Sequence, residues 1–236
     1  MYGQAGVDSP GDRCCGLDKG CRSRVPGGKC FYSFRGEPYG FPAPLWPVSR
    51  STKLPMQFIC QIPFQADLFH DAGEAVAYLF MTSGSDGDET WAPDGGENAL
   101  VIVPHDRLTN SLTIGDPPRL CRMVKKWWSK KLVPQTCSFS AKLTFSEDPA
   151  FIPEFTLMDM ADEQADAYRD ALSGNKLGGT PGFLQGDELP IPEPWYLLLQ
   201  LDSAQVPFWI NFGDAGIGYA FINRAGTEGR FLWQCC

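Results

Sequence analysis

Two histidines, nine cysteines and 28 carboxylates are the side chains with which this 236-residue chain could do acid–base, nucleophilic or metal chemistry. A Ser–His–Asp or Cys–His site needs a histidine in a context that sets it beside a nucleophile. His70 follows Asp67-Leu-Phe and His105 follows Pro104, and neither context is of that kind. No nucleophile elbow, phosphate loop, dinucleotide-binding glycine pattern or HExxH helix occurs. Gly213-Asp-Ala-Gly-Ile-Gly218 is glycine-rich, but it precedes an apolar strand-like run and opens no helix, so it presents no helix N–H groups to a phosphate. Two carboxylates can act as acid and base wherever they meet, yet spacing singles out no pair. The expectation is a binding protein without catalysis and without a cofactor, with a small-molecule binder or an unrecognised enzyme as the alternative.

Four cysteines, Cys14, Cys15, Cys21 and Cys30, share one Gly-rich stretch, while Cys60, Cys121, Cys137, Cys235 and Cys236 are dispersed. The N-terminal residues contain no apolar core of a signal peptide, which makes the cytoplasm the default location and reduced thiols the default state. An odd count argues against a closed disulfide framework. The clustered four lack the C-x2-C pairs of a structural zinc site, and adjacent cysteines rarely ligate one tetrahedral ion. No metal is expected, with those four as the weak candidates; a site completed by a distant ligand, or disulfides, remain the open alternatives.

The carboxylates carry more information through their distribution. The net charge is −8, but residues 119–142 hold seven Lys and Arg with no acid, whereas residues 143–236 hold fourteen acids against four bases. Residues 51–118 are acidic as well. Such segregation suits capture of an oppositely charged partner. Asp159, Asp162, Glu163, Asp166 and Asp170 form the candidate partner-binding set, with the last four on one side of an amphipathic pattern. In the basic stretch, Lys125, Lys126, Lys130 and Lys131 bracket Trp127-Trp128, a mixture that suits stacking on single strands. The overall pI of about 4.8 repels a polyanion elsewhere, so nucleic acid is disfavoured. With no apolar run of about 18 residues, no membrane partner is expected.

A chain with 43% hydrophobic and 20% charged residues has the composition of a folded globular protein. The first 40 residues read as an irregular Cys- and Gly-rich segment. Residues 41–47, with three prolines, should lie extended. β-prone runs at 56–62, 75–81, 99–103, 196–201 and 216–222 read as strands, and one more enters around 138–144. The run at 196–201 is apolar almost throughout, as suits a strand buried on both faces. Met160, Ala161, Ala165, Tyr168 and Leu172 recur at spacings of three and four, which predicts a helix within 156–173. Phe58-Ile-Cys-Gln-Ile62 aligns with Leu197-Leu-Leu-Gln-Leu201, and Ala77-Tyr-Leu-Phe80 with Gly218-Tyr-Ala-Phe221. The reading is α+β, predominantly antiparallel β with a few helices, in two similar halves (about 41–118 and 143–236) left by a diverged duplication.

Phe41-Pro-Ala-Pro-Leu-Trp-Pro47, Pro55-Met-Gln-Phe-Ile-Cys-Gln-Ile62, Lys176-Leu-Gly-Gly-Thr-Pro-Gly-Phe-Leu-Gln-Gly-Asp187, Leu197-Leu-Leu-Gln-Leu-Asp202, Phe212-Gly-Asp-Ala-Gly216 and Phe231-Leu-Trp-Gln-Cys235 together resemble the YwqG-like proteins, a family of unknown function. The resemblance covers residues 40–236 and implies an antiparallel fold of two similar halves. It supplies no chemistry. It also implies a role, because such proteins occur among bacterial immunity proteins and this chain is similar to one guarding against a type VI secretion DNase. The partner would then be a cognate toxin, a basic nuclease. The shared residues have structural readings: Gly178, Gly179, Gly213 and Gly216 suit turns with positive φ, Asp214 can bond its own turn, and Gln61, Gln185 and Gln200 can pair buried backbone groups.

Overall fold

The computed structural model describes residues 13–18, 33–34, 37–83, 89–109, 117–128, 131–191 and 194–236. Strands β1 (Arg13–Asp18) and β2 (Ser33–Phe34) are followed by β3 (Gln57–Pro63), β4 (Ala75–Met81) and β5 (Asn98–Pro104). The basic stretch contributes β6 (Cys121–Lys125) and β7 (Leu132–Thr136), and then come β8 (Phe139–Ser140) and β9 (Lys142–Glu147). Helices α1 (Glu154–Leu157) and α2 (Asp162–Ala171) precede β10 (Lys176–Gly178), β11 (Trp195–Asp202), β12 (Ile217–Asn223) and β13 (Gly229–Gln234). The architecture is α+β with antiparallel sheets throughout: one in the order β13-β12-β11-β10-β1-β9, one in the order β5-β4-β3-β2-β8, and a separate ribbon β6-β7.

Strands β3 and β11 show why near-continuous apolar runs are needed. Each has a register shift against its neighbour, between Phe58 and Cys60 in β3 and between Leu197 and Leu199 in β11. An extra residue in a strand puts two consecutive side chains on one face. Ile59 with Cys60, and Leu198 with Leu199, thus both enter a core shared by the two large sheets, with Leu79, Leu100, Ala220, Ile222 and Phe231. Phe58 and Leu197 face the other way, into two outer clusters. In the first, Phe41 and Trp46 pack on Phe58, Tyr78 and Phe80; in the second, Phe183 packs on Leu197, Tyr219 and Phe221. Each sheet is thereby covered on one face by the other and on its outer face by a strap from its own half. The two aligned segments are strands β3 and β11, and the shift falls at the aligned position in each.

Several expectations needed adjustment. Within the segment read as irregular, Arg13–Asp18 is a strand inserted between β9 and β10. Residues 41–47 are not wholly extended: Ala43–Leu45 forms a 3-10 turn. Its hydrogen bonds come from the N–H groups of Leu45 and Trp46, so the prolines lose no donor that the turn needs. The helix expected within 156–173 is split into α1 and α2. Met160 and Ala161 keep helical spacing but lie in the link between them, and periodicity alone does not register that break. Strands β2, β6, β7, β10 and β13 lie outside the expected runs, being short or bearing prolines and charges.

Candidate functional site

The five predicted acidic residues lie together on the α1–α2 unit. Pro153 precedes α1, whose first N–H, from Glu154, donates to Asp187 Oδ2 at 2.8 Å. Helix α2 opens with Asp162 and Glu163 in its first turn, where carboxylates favour the positive end of the helix dipole. Its inner side is fixed by Ala165 and Leu172, both buried, and by Tyr168, whose hydroxyl donates to Ala150 O and accepts from Ile152 N. Burial pushes the Tyr168 phenol up. Arg169 reaches back to Glu154 at 3.0 Å and Asp166 at 3.5 Å. Asp159, Asp162, Glu163, Asp166 and Asp170 are all exposed, and beside them Phe155 and Met158 are 72% and 76% exposed. The unit therefore exposes two large apolar side chains as well as five carboxylates.

The residues given structural readings divide. Gly178, Gly179 and Gly213 have φ of 70°, 77° and 71°. Gly216 does not; the positive φ in its turn falls on Ala215, and a Cβ at Gly216 would collide with the Phe212 carbonyl. Asp214 contributes its backbone carbonyl, accepting from Cys236 N, while the side-chain acceptor of that turn is Asn211 Oδ1, to which Gly213 N donates. Gln200 is fully buried; its Oε1 accepts from Gly182 N at 2.8 Å and its Nε2 donates to Leu172 O and Gly174 O. Gln61, also buried, accepts from Tyr39 N. Gln185 is exposed and lends only its backbone. The buried glutamine there is Gln234, which accepts from Leu184 N and Gln185 N and donates to Gly186 O.

A cleft of about 280 Å³ lies between the loop after β3 and the β10–β12 side of the larger sheet. Phe69, Phe151, Trp195, Leu197 and Phe221 wall it, and Arg224 and Asp71 pair beside it at 2.9 Å. Gly178, Gly179 and Thr180 line it too, placed by a buried ion pair in which Asp148 Oδ2 accepts from Lys176 Nζ at 2.7 Å and Thr180 N at 3.0 Å. Sequence reasoning missed this cleft, whose walls come from six separated segments. His70 lines it with its ring exposed and Nδ1 at 3.1 Å from Ala66 O; His105 is exposed in a 3-10 turn.

Of the clustered cysteines, Cys14 and Cys15 are consecutive in β1, and Cys21 and Cys30 lie outside the described residues. Cys60, Cys121, Cys137, Cys235 and Cys236 are free thiols, and burial pushes Cys60 up. Among the described residues no three His, Cys, Asp or Glu gather to hold a metal ion, and no helix is long and apolar enough to cross a membrane.

The fold is that of an α+β protein whose two antiparallel sheets share a core, with an acidic helical unit on one side and a small cleft. Residues 33–229 match the family described as "domain of unknown function (DUF1963)", and the chain belongs to that family. The matched span agrees with the YwqG-like resemblance and leaves the four clustered cysteines outside it. A comparison with curated proteins finds no match.

Proposed function

We propose that this is a non-catalytic binding protein that captures a basic partner on the α1–α2 face, the partner being a cytoplasmic nuclease toxin of a type VI secretion system. The observation that supports this reading is the exposure of Asp159, Asp162, Glu163, Asp166 and Asp170 on the α1–α2 unit that also exposes Phe155 and Met158. Apolar anchors within a charged border are the usual anatomy of a protein interface, and an acidic border speeds encounter with a basic enzyme. The resemblance of its motifs to YwqG-like proteins, which occur among bacterial immunity proteins, supports the choice of a nuclease.

The test is growth rescue in bacteria that express nuclease effector domains one at a time. The chain should rescue against at least one, with an association rate that falls steeply as salt rises. Asp166→Lys with Asp170→Lys should slow that association and leave folding intact, since both lie beyond the first turn of α2, where Asp162 and Glu163 serve the dipole. Rescue of no effector would remove the toxin; rescue with an association rate indifferent to salt and to the reversals would remove the acidic face.

A second reading is favoured by the cleft, whose aromatic walls and adjacent Arg224 suit a small apolar molecule bearing an acceptor group. Stabilisation by such a ligand that is lost in Phe221→Ala, with effector rescue absent, would support it instead.

A further inference from the structure

The ribbon β6–β7 belongs to neither large sheet, and it carries a surface that the acidic-face reading does not use. Its base is tied to the body by Trp209 N donating to Cys121 O at 2.8 Å. At the other end, just past β6, Trp127 is 91% exposed and Trp128 66% exposed. Met123 and Leu132, 49% and 58% exposed, extend the apolar area along the strands. Around them Arg122, Lys125, Lys126 and Lys131 are all exposed, and no acid occurs from 119 to 142. Two indoles and two aliphatic side chains left in water amid cations mark an interaction surface.

The shape of the ribbon selects among anionic partners. A single strand of nucleic acid is held in a basic groove with successive bases stacked on ring faces. Here the two indoles stand at 88° to each other, 5.4 Å apart, and the Lys126 ammonium lies 5.4 Å over the Trp128 ring, so one of the few ring faces is covered. Among the described residues the ribbon is a two-stranded sheet of its own, and rings at right angles offer no continuous stack to successive bases. A projecting tip with indoles foremost and lysines behind has instead the chemistry of a lipid–water boundary, where tryptophan settles among headgroups and ammonium groups meet acidic lipid. We propose that the β6–β7 ribbon docks the protein on an anionic lipid surface, with Trp127 and Trp128 in the headgroup layer and Lys125 and Lys126 against lipid phosphates. Such peripheral docking needs no membrane-spanning segment, and it is independent of the partner captured at α1–α2.

The experiment uses the full chain with vesicles of phosphatidylcholine, alone or mixed with phosphatidylglycerol, some carrying brominated acyl chains. The chain should sediment with the mixed vesicles and not with the neutral ones, and bromine should quench its tryptophan emission. Trp127→Ala with Trp128→Ala should abolish the quenching and lower partitioning at least tenfold. Lys125→Gln with Lys126→Gln should lower partitioning roughly tenfold to thirtyfold, from about 1 kcal/mol for each cation near an acidic surface. Both variants alter exposed side chains and should keep the parent far-ultraviolet spectrum. The proposal is overturned by sedimentation with neither vesicle, by equal sedimentation with both, or by variants that bind like the parent. It is equally overturned if a single-stranded oligonucleotide, or a second copy of the chain, is bound with that tryptophan dependence while vesicles are not.

Discussion

Glu97 is a carboxylate only 3% exposed, and its ionised form is retained by its neighbours. Ser49 Oγ and Thr82 Oγ1 each donate to Oε2 at 2.7 Å, and Ser51 N donates to Oε1 at 2.7 Å. Burial alone raises its pKa, but these hydrogen bonds outweigh that and hold it below the ordinary value of 4.5. With the folded value depressed, the unfolded chain takes up protons first on acidification. The stabilisation is complete above the ordinary value and is lost as pH falls through the folded one. Glu97→Gln should therefore cost about 2 kcal/mol at neutral pH, the scale of hydrogen bonds to a charged group. The difference from the parent should shrink as both are acidified, which urea unfolding at neutral and acidic pH will measure. A gap that stayed constant with pH would show that the charge is not what matters. Nothing in the sequence pointed to this residue: in Asp94-Gly-Gly-Glu97 it reads as part of a turn, and its partners Ser49 and Thr82 are 48 and 15 residues away.

The straps over the two sheets are held by the same device in each half. In the first, Gln61 Oε1 accepts from Tyr39 N at 2.7 Å and Tyr78 OH donates to Tyr39 O at 2.8 Å; Gln61 and Tyr78 are cross-strand partners. In the second, Gln200 Oε1 accepts from Gly182 N at 2.8 Å and Tyr219 OH donates to Gly182 O at 2.7 Å, again across a strand pair. One residue of each strap thus has both backbone groups satisfied by a Gln–Tyr pair, and the ring that follows, Phe41 or Phe183, packs on the tyrosine. The recurring Gln within an apolar strand and the recurring Tyr were legible as a repeated pattern. Their partners were not, because the straps they hold are elsewhere in sequence and share little beyond a proline before the clamped residue. Gln200→Leu leaves Gly182 N, Leu172 O and Gly174 O without that partner. At about 1 kcal/mol or more for each unpaired group, the expected loss is about 3 kcal/mol. Tyr219→Phe, which releases one carbonyl, should cost about 1 kcal/mol. Denaturant unfolding of both variants checks this ordering, and equal small losses would mean that the clamp does not hold the strap.

Over the whole molecule, the fold class was readable because β3, β4, β5, β11 and β12 are long, apolar and β-branched or aromatic, and such runs leave little choice of element. The placement of β1 was not, since Arg-Cys-Cys-Gly-Leu-Asp has no alternation and its neighbours β9 and β10 are more than 120 residues away in sequence. How the halves join was also hidden, because one close approach between them falls at a glycine. Edge strands β5 and β13 come together where a Cβ on Gly229 would lie 2.6 Å from Leu100 Cδ2 and 2.8 Å from its Cγ. Leu100 belongs to the core to which both sheets contribute, so a side chain at Gly229 presses on the centre of the protein. Gly229→Ala should destabilise by about 1–3 kcal/mol, as overpacking does. Leu100→Ala should cost at least about 2 kcal/mol by leaving a cavity. Combined, the added methyl enters the vacated space, and the double variant should lose at least about 1 kcal/mol less than the two losses taken together. Because one core serves both sheets, each variant should also unfold in a single transition, with tryptophan emission and far-ultraviolet dichroism coincident. Trp46 and Trp91 report the first half, and Trp195, Trp209 and Trp233 the second. Additive losses would place Leu100 and Gly229 out of contact, and separated transitions would mean that the halves fold as independent bodies, each with a core of its own.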